Sequence, residues 1–125
     1  MADEKDNCLF CKIVKKEIPT DIVFETENVM AFLDIEPISP GHILVIPKQH
    51  FFNLLDLPEQ IGAEMLAVSK VVAYSQIEAL GAEGFSLLER NFPAAGQLVM
   101  HVHWHIIPRF QNDGIEEWHG KKYYN

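Results

Sequence analysis

Cysteine is scarce in this chain: its 125 residues include two, Cys8 and Cys11. One pair cannot build the disulfide framework of a small secreted domain. Their C-x-x-C spacing, with no export signal ahead of it, points to metal or redox chemistry instead. Long apolar runs are missing too. No stretch approaches the roughly 20 apolar residues needed to span a bilayer, so no membrane partner is expected. Positive charge is in short supply, with 10 basic against 18 acidic residues and a net charge of −8. A field of that sign opposes broad contact with DNA or RNA. It does allow a small anionic ligand, because a pocket can be locally positive. The segment Met1 to Asn7 is polar and acidic, without the basic start and apolar stretch of a secretory signal. A cytoplasmic protein is therefore expected. Internal repeats, low-complexity tracts and long linkers are absent.

What is present suffices for one domain. The chain is 48% hydrophobic, ordinary for a globular protein. Residues 1–7 read as a loose tail and residues 8–125 as a single domain, ending in a polar, aromatic tail from about 111. Leu9, Phe10 and Ile13 lie at helical offsets, so a short helix should follow the cysteines and stop before Pro19. Strands are expected at Ile22 to Glu25, Val29 to Asp34 and His42 to Pro47, then at Phe85 to Leu88 and Val99 to Ile107. The loop from Glu36 to Gly41 holds two prolines and a glycine. One long helix is predicted from Pro58 to about Leu80, with Ile61, Met65, Val68 and Val72 in one stripe. Leu66, Ala73, Ile77 and Leu80 should widen it. The strand links are mostly too short for parallel crossovers. The predicted class is α+β, with a mostly antiparallel sheet of about five strands, one long helix and one short N-terminal helix.

Three of the six histidines fall in the run His101-Val102-His103-Trp104-His105-Ile106-Ile107. In a strand, alternate residues share a face. His101, His103 and His105 should then point one way, and Val102, Trp104 and Ile106 into the core. A neutral imidazole is a good nucleophile toward phosphorus near neutral pH. Neighbouring imidazoles can orient it, donate to phosphate oxygens or protonate a leaving group. Three imidazoles can equally bind zinc. The pattern alone fits either chemistry.

At this run the chain resembles the histidine-triad (HIT) superfamily, whose signature is H-φ-H-φ-H-φ-φ with φ apolar. The likeness extends to Cys8-Leu9-Phe10-Cys11-Lys12-Ile13, Phe32-Leu33-Asp34-Ile35, Gly41 to Lys48, Ala95-Gly96-Gln97 and Ile107-Pro108-Arg109. It spans about residues 8 to 110. The resemblance implies a nucleotide phosphoramidate or nucleotidyl hydrolase. His103 would attack the α-phosphorus of a purine nucleotide, and water would then cleave the nucleotidyl-histidine, with no metal required. His105 and Gly96-Gln97 would hold phosphate oxygens, and His101 would assist orientation or the leaving group. Asp34 would accept from the ribose hydroxyls, a carboxylate facing a diol. Leu9, Phe10, Ile13, Phe32 and Ile35 would form the purine slot; by composition alone they read as core.

The resemblance also implies a structural zinc on Cys8, Cys11, His50 and His101, as in many bacterial-type members, and a homodimer. The aromatic tail residues Trp118, Tyr123 and Tyr124 would reach the partner. His42 is expected to be structural because it follows a turn glycine, and His119 receives no role. Lys48 and Arg109 add positive charge near the site or simply solvate the surface.

Arg90, Phe92 and Leu98 depart from the family's pattern. Relatives usually carry an asparagine pair followed by glycine where this chain has Arg90-Asn91-Phe92. Arg90 puts one phosphate contact in doubt and leaves Asn91 as the other. Phe92 replaces a residue that permits positive φ, so a different loop path is expected. Leu98 stands where relatives often have a hydroxyl. Two other readings follow: a nucleotide-binding protein that has lost efficient turnover, and a histidine metal centre doing metal-assisted hydrolysis.

Overall fold

The computed structural model describes residues 7–115. Residues 1–6 of the expected N-terminal tail lie outside the described residues, as do Trp118, His119, Tyr123 and Tyr124. The elements run α1 (Leu9–Val14), β1 (Ile22–Glu25), β2 (Val29–Leu33), β3 (Ile43–Pro47), α2 (Glu59–Leu80), β4 (Gly84–Leu88), a 3-10 turn (Pro93–Ala95) and β5 (Trp104–Arg109). The strands form one sheet in the order β1-β2-β3-β5-β4, and every neighbouring pair is antiparallel. The fold is α+β, with five strands, one long helix and one short helix. Among the described residues, no helix is long and apolar enough to cross a membrane.

The period-two geometry of a strand divides the core in two. Val29 and Ala31 of β2, Val45 of β3 and Ile106 of β5 face α2, packing on Met65, Val68, Val72 and Ala73. Met30, Phe32, Leu44 and Ile46 face the other way, onto Phe10, Cys11 and Ile13 of α1. Both faces of β2 and β3 are therefore covered, which is why those strands read as unbroken apolar runs.

Two expectations need correction. The last strand begins at Trp104, not Val99, and runs to Arg109. Residues 99–103 have no strand partner there; Val102 N–H instead donates to the Phe51 carbonyl at 2.8 Å. In α2, Leu66, Ile77 and Leu80 stay exposed and do not widen the stripe. The buried stripe instead continues into a polar residue. Gln76 is buried, and its amide N–H groups donate to the carbonyls of Gly41 and Ile106 at 3.0 and 2.9 Å. Gly41 sits at φ +91°, and a Cβ there would collide with Leu80, so this turn requires glycine.

Candidate functional site

A cleft of about 330 Å³ opens on the sheet face opposite α2. Leu9, Phe10 and Ile13 of α1 line it together with Phe32 of β2, whose ring packs edge-on against Phe10 with centroids 5.6 Å apart. Asp34, Ile35, Leu98, His42, His103 and His105 complete the lining. The five apolar residues expected in a slot thus stand together with Asp34. Ile35 is 84% exposed and sits at the rim, not in the floor. Phe10 packs edge-on against the His103 ring, with centroids 5.1 Å apart.

His103 and His105 meet in the cleft with ring centroids 5.0 Å apart. His103 Nδ1–H donates to the His101 carbonyl at 2.8 Å, so its lone pair is on Nε2. Burial lowers the His103 pKa from the ordinary histidine range; the bond to His101 and the charge of Asp34 oppose that, and Arg90 reinforces it. His105 is pushed down to about 4, first by burial, then by His103 and His42. Both rings are held neutral near pH 7.

Sequence reasoning missed His42. It is 1% exposed, and its Nε2 lies 2.9 Å from His105 Nδ1. Ile38 N–H donates to His42 Nδ1 at 3.1 Å, so the His42 proton is on Nε2. That proton goes to His105 Nδ1, and His105 in turn carries its own proton on Nε2. Burial lowers the His42 pKa against the pull of Asp34, whose Oδ2 is 3.6 Å away. A signal was available. β3 and β5 pair antiparallel with Leu44 opposite His105, so His42 falls two residues along on the same face.

His101 goes elsewhere. It is fully buried behind the cleft, with Nδ1 3.3 Å from Cys8 Sγ and 3.6 Å from Cys11 Sγ. Cys11 Sγ also lies 3.4 Å from His50 Nδ1. The three histidines therefore do not share one pocket: His101 joins the cysteines, and its backbone carbonyl alone serves His103. His101 Nε2–H donates to the Pro47 carbonyl at 2.8 Å, which leaves Nδ1 as a ligand atom. A tetrahedral zinc with ordinary Zn–S and Zn–N bonds places sulfur and nitrogen about 3.6 Å apart. The four residues fit that geometry. Asp34, His42 and His105 also lie close enough to hold a metal. Their donor set fits poorly, because His42 Nε2 carries the proton and Nδ1 is already an acceptor.

The loop beside the cleft is braced internally. Gln97 is buried; its Oε1 accepts from Phe92 N–H at 2.7 Å, and its Nε2 donates to the Phe52 and Val99 carbonyls. Its side chain is thus committed within the protein, and the Gly96 and Gln97 N–H groups donate to the Pro93 and Phe92 carbonyls at 2.9 and 3.1 Å. Asn91 Oδ1 accepts from Leu54 N–H at 2.9 Å. Phe92 holds φ +73°, so the loop keeps a positive φ without glycine, against expectation. Phe92 packs on Phe52 with centroids 5.5 Å apart, a contact that helps hold this strained residue. The Arg90 side chain lies against Gly96, where a Cβ would sit 2.9 Å from Arg90 Cδ. Leu98 is 89% exposed at the cleft edge. Lys48 pairs with Glu25, and Arg109 pairs with Asp113, so neither belongs to the cleft.

Residues 15–112 match the HIT domain family model. An uncharacterised HIT-like protein of Methanocaldococcus jannaschii is 44% identical over 108 residues, covering 86% of this chain and 82% of that one. An adenosine 5′-monophosphoramidase of Schizosaccharomyces pombe is 45% identical over 103 residues, covering 82% and 74%. A zinc-bound histidine triad family protein of Mycobacterium smegmatis superposes with a TM-score of 0.85 at 38% identity, covering 90% and 81%.

Proposed function

The chain belongs to the HIT domain family, and on that premise we propose that it hydrolyses purine nucleotide phosphoramidates and related nucleotidyl compounds. The reading is supported by a phosphoramidase among its relatives. The single observation that carries it is the tautomer of His103, whose Nδ1–H is spent on the His101 carbonyl. Its Nε2 lone pair attacks the α-phosphorus, and the bond from phosphorus to the leaving nitrogen or oxygen breaks. Water then cleaves the nucleotidyl-histidine and restores the imidazole. His105 offers Nε2–H to the phosphate oxygens where negative charge develops. Asp34 receives the ribose hydroxyls, and the purine lies against the apolar wall of Leu9, Phe10, Ile13 and Phe32.

Cys8, Cys11, His50 and His101 would hold a structural zinc, as their spacing and the zinc-bound relative support. Zinc there would staple α1 to the sheet. We further propose a cytoplasmic homodimer. The exposed Phe85 and Leu87 on the edge strand β4 suit a second copy.

The test is to mix the protein with adenosine 5′-phosphoramidate, quench in base and measure intact mass. An adenylylated protein that vanishes in His103→Ala supports the proposal. Tight binding with neither adduct nor product refutes it in favour of a binding protein. Turnover abolished by chelator, with no adduct, refutes it in favour of metal-assisted hydrolysis.

A further inference from the structure

We infer that His42 is a positioning residue that couples ribose recognition at Asp34 to the phosphate-side donor His105, through one N–H that both can claim. The inference rests on the nucleotide reading above and adds to it a link between two ends of the substrate.

The geometry leaves His42 a single proton to give. Its Nδ1 accepts from Ile38 N–H, so the ring proton is on Nε2. His105 Nδ1 accepts that proton at 2.9 Å, while Asp34 Oδ2 stands 3.6 Å from the same nitrogen, beyond hydrogen-bond range but close enough to attract the proton by its charge. His42 is 1% exposed, so bulk water cannot readily supply a substitute partner. The carboxylate charge therefore competes with His105 for that proton. A carboxylate is intrinsically the stronger acceptor, and hydrogen bonds to charged groups outweigh neutral ones. The shorter contact to His105 offsets that advantage.

The two Asp34 oxygens are not equivalent. Oδ1 already accepts from Glu36 N–H at 2.9 Å. Oδ2 faces His42 and is the oxygen with more capacity for a ribose hydroxyl. A hydroxyl donating to Oδ2 draws on the lone pairs that compete for His42 Nε2–H. The His42 proton then commits to His105 Nδ1, and the His105 proton is fixed on Nε2, where a phosphate oxygen can accept it. Loss of a ribose hydroxyl leaves Asp34 competing and the His105 tautomer less firmly set. The ribose thus contributes to the rate at phosphorus as well as to binding.

The experiment compares adenosine 5′-phosphoramidate with its 2′-deoxy counterpart in wild type, His42→Ala and His42→Gln. A glutamine amide brings two N–H groups, one for each acceptor, so it restores donation but removes the competition. In wild type the 2′-deoxy substrate should lose about 5- to 10-fold in kcat as well as losing in KM. In His42→Gln the kcat ratio should shrink to within about twofold, with the KM ratio retained. His42→Ala should lower kcat on both substrates, and His42→Gln should recover part of that loss. A wild-type penalty confined to KM overturns the coupling, as does an equal kcat ratio in His42→Gln.

A second readout does not need turnover. Long-range proton–nitrogen NMR on histidine-labelled protein reports which nitrogen of His105 is protonated. The Nε2–H form should predominate in the free protein and rise further with AMP than with 2′-deoxy-AMP. A His105 proton on Nδ1, or equal responses to the two nucleotides, overturns the relay. Wild type that binds these nucleotides but hydrolyses neither phosphoramidate refutes the hydrolase reading alone, and the NMR outcome then decides the relay.

Discussion

The cluster of Cys8, Cys11, His50 and His101 and the cluster of His42, His103 and His105 use the same side chain for different ends. In the first, His101 donates from Nε2 to a backbone carbonyl and turns a bare Nδ1 toward two thiols. In the second, His42 accepts from the backbone and donates sideways to another imidazole. The first arrangement presents lone pairs to one point, as a metal requires. The second passes hydrogen-bond polarity along a row and ends on a donor. Counting histidines does not separate these roles. The partner of each second ring nitrogen does. The clusters also touch: His101 gives its ring to one and its carbonyl to His103 in the other.

The sharpest break in this comparison is His103→Ala. It should cut kcat/KM for adenosine 5′-phosphoramidate by about 10⁴-fold or more while barely changing the melting temperature. A mild kinetic loss would remove His103 from the role of nucleophile.

Next in size is Cys11→Ser. The variant should lose bound zinc by metal analysis and melt about 10 °C or more below the zinc-loaded parent. Full zinc occupancy, or an unchanged melting point, would dissolve the contrast between the clusters.

Acid should then strike both clusters together. Burial holds His101 and His105 at about 4, whereas an unfolded histidine takes its proton near 6.5. Between those values the unfolded chain binds more protons, so these residues favour unfolding progressively as pH falls. The metal-free melting temperature should decline from about pH 6.5 toward 4 and lose this dependence above 6.5. Equal melting temperatures at both ends of that window would mean the rings are not held neutral.

The smallest effect is expected at the loop. Leu98→Ser should raise kcat/KM severalfold, up to about 10-fold, by supplying a hydroxyl near phosphate. An unchanged or lower value would show that the exposed leucine costs nothing.

Much of the fold was legible because its signals are local. Pro58 and Gly81 bracket α2, and Val29 to Leu33 and Ile43 to Pro47 read directly as strands. The last strand was misplaced at its start because alternation predicts an extended chain, not a hydrogen-bonded partner. Residues 99–103 alternate without a ladder, held by the Val102 to Phe51 bond and by side-chain bonds to the Val99 and His101 carbonyls. In the site, Asp34 and the apolar wall were found from their motif neighbours. His42 was not, since its meaning depends on β3 lying beside β5. Gln97 was placed in the right loop, but no spacing rule reveals that its amide is consumed by Phe92, Phe52 and Val99.

Gln76 sits on α2, which packs on the sheet face away from the cleft. It clamps the carbonyls of the residue before His42 and the residue after His105. The clamp belongs to the penultimate turn of α2, and helix ends are where local opening is easiest. Warming should release this grip before the hydrophobic stripe of Met65, Val68 and Val72 gives way. The imidazole pair then drifts while the helix signal in circular dichroism is still nearly full. The enzyme should accordingly have a thermal optimum set by one amide's hold on a loop and a strand, several degrees below the temperature at which the domain comes apart.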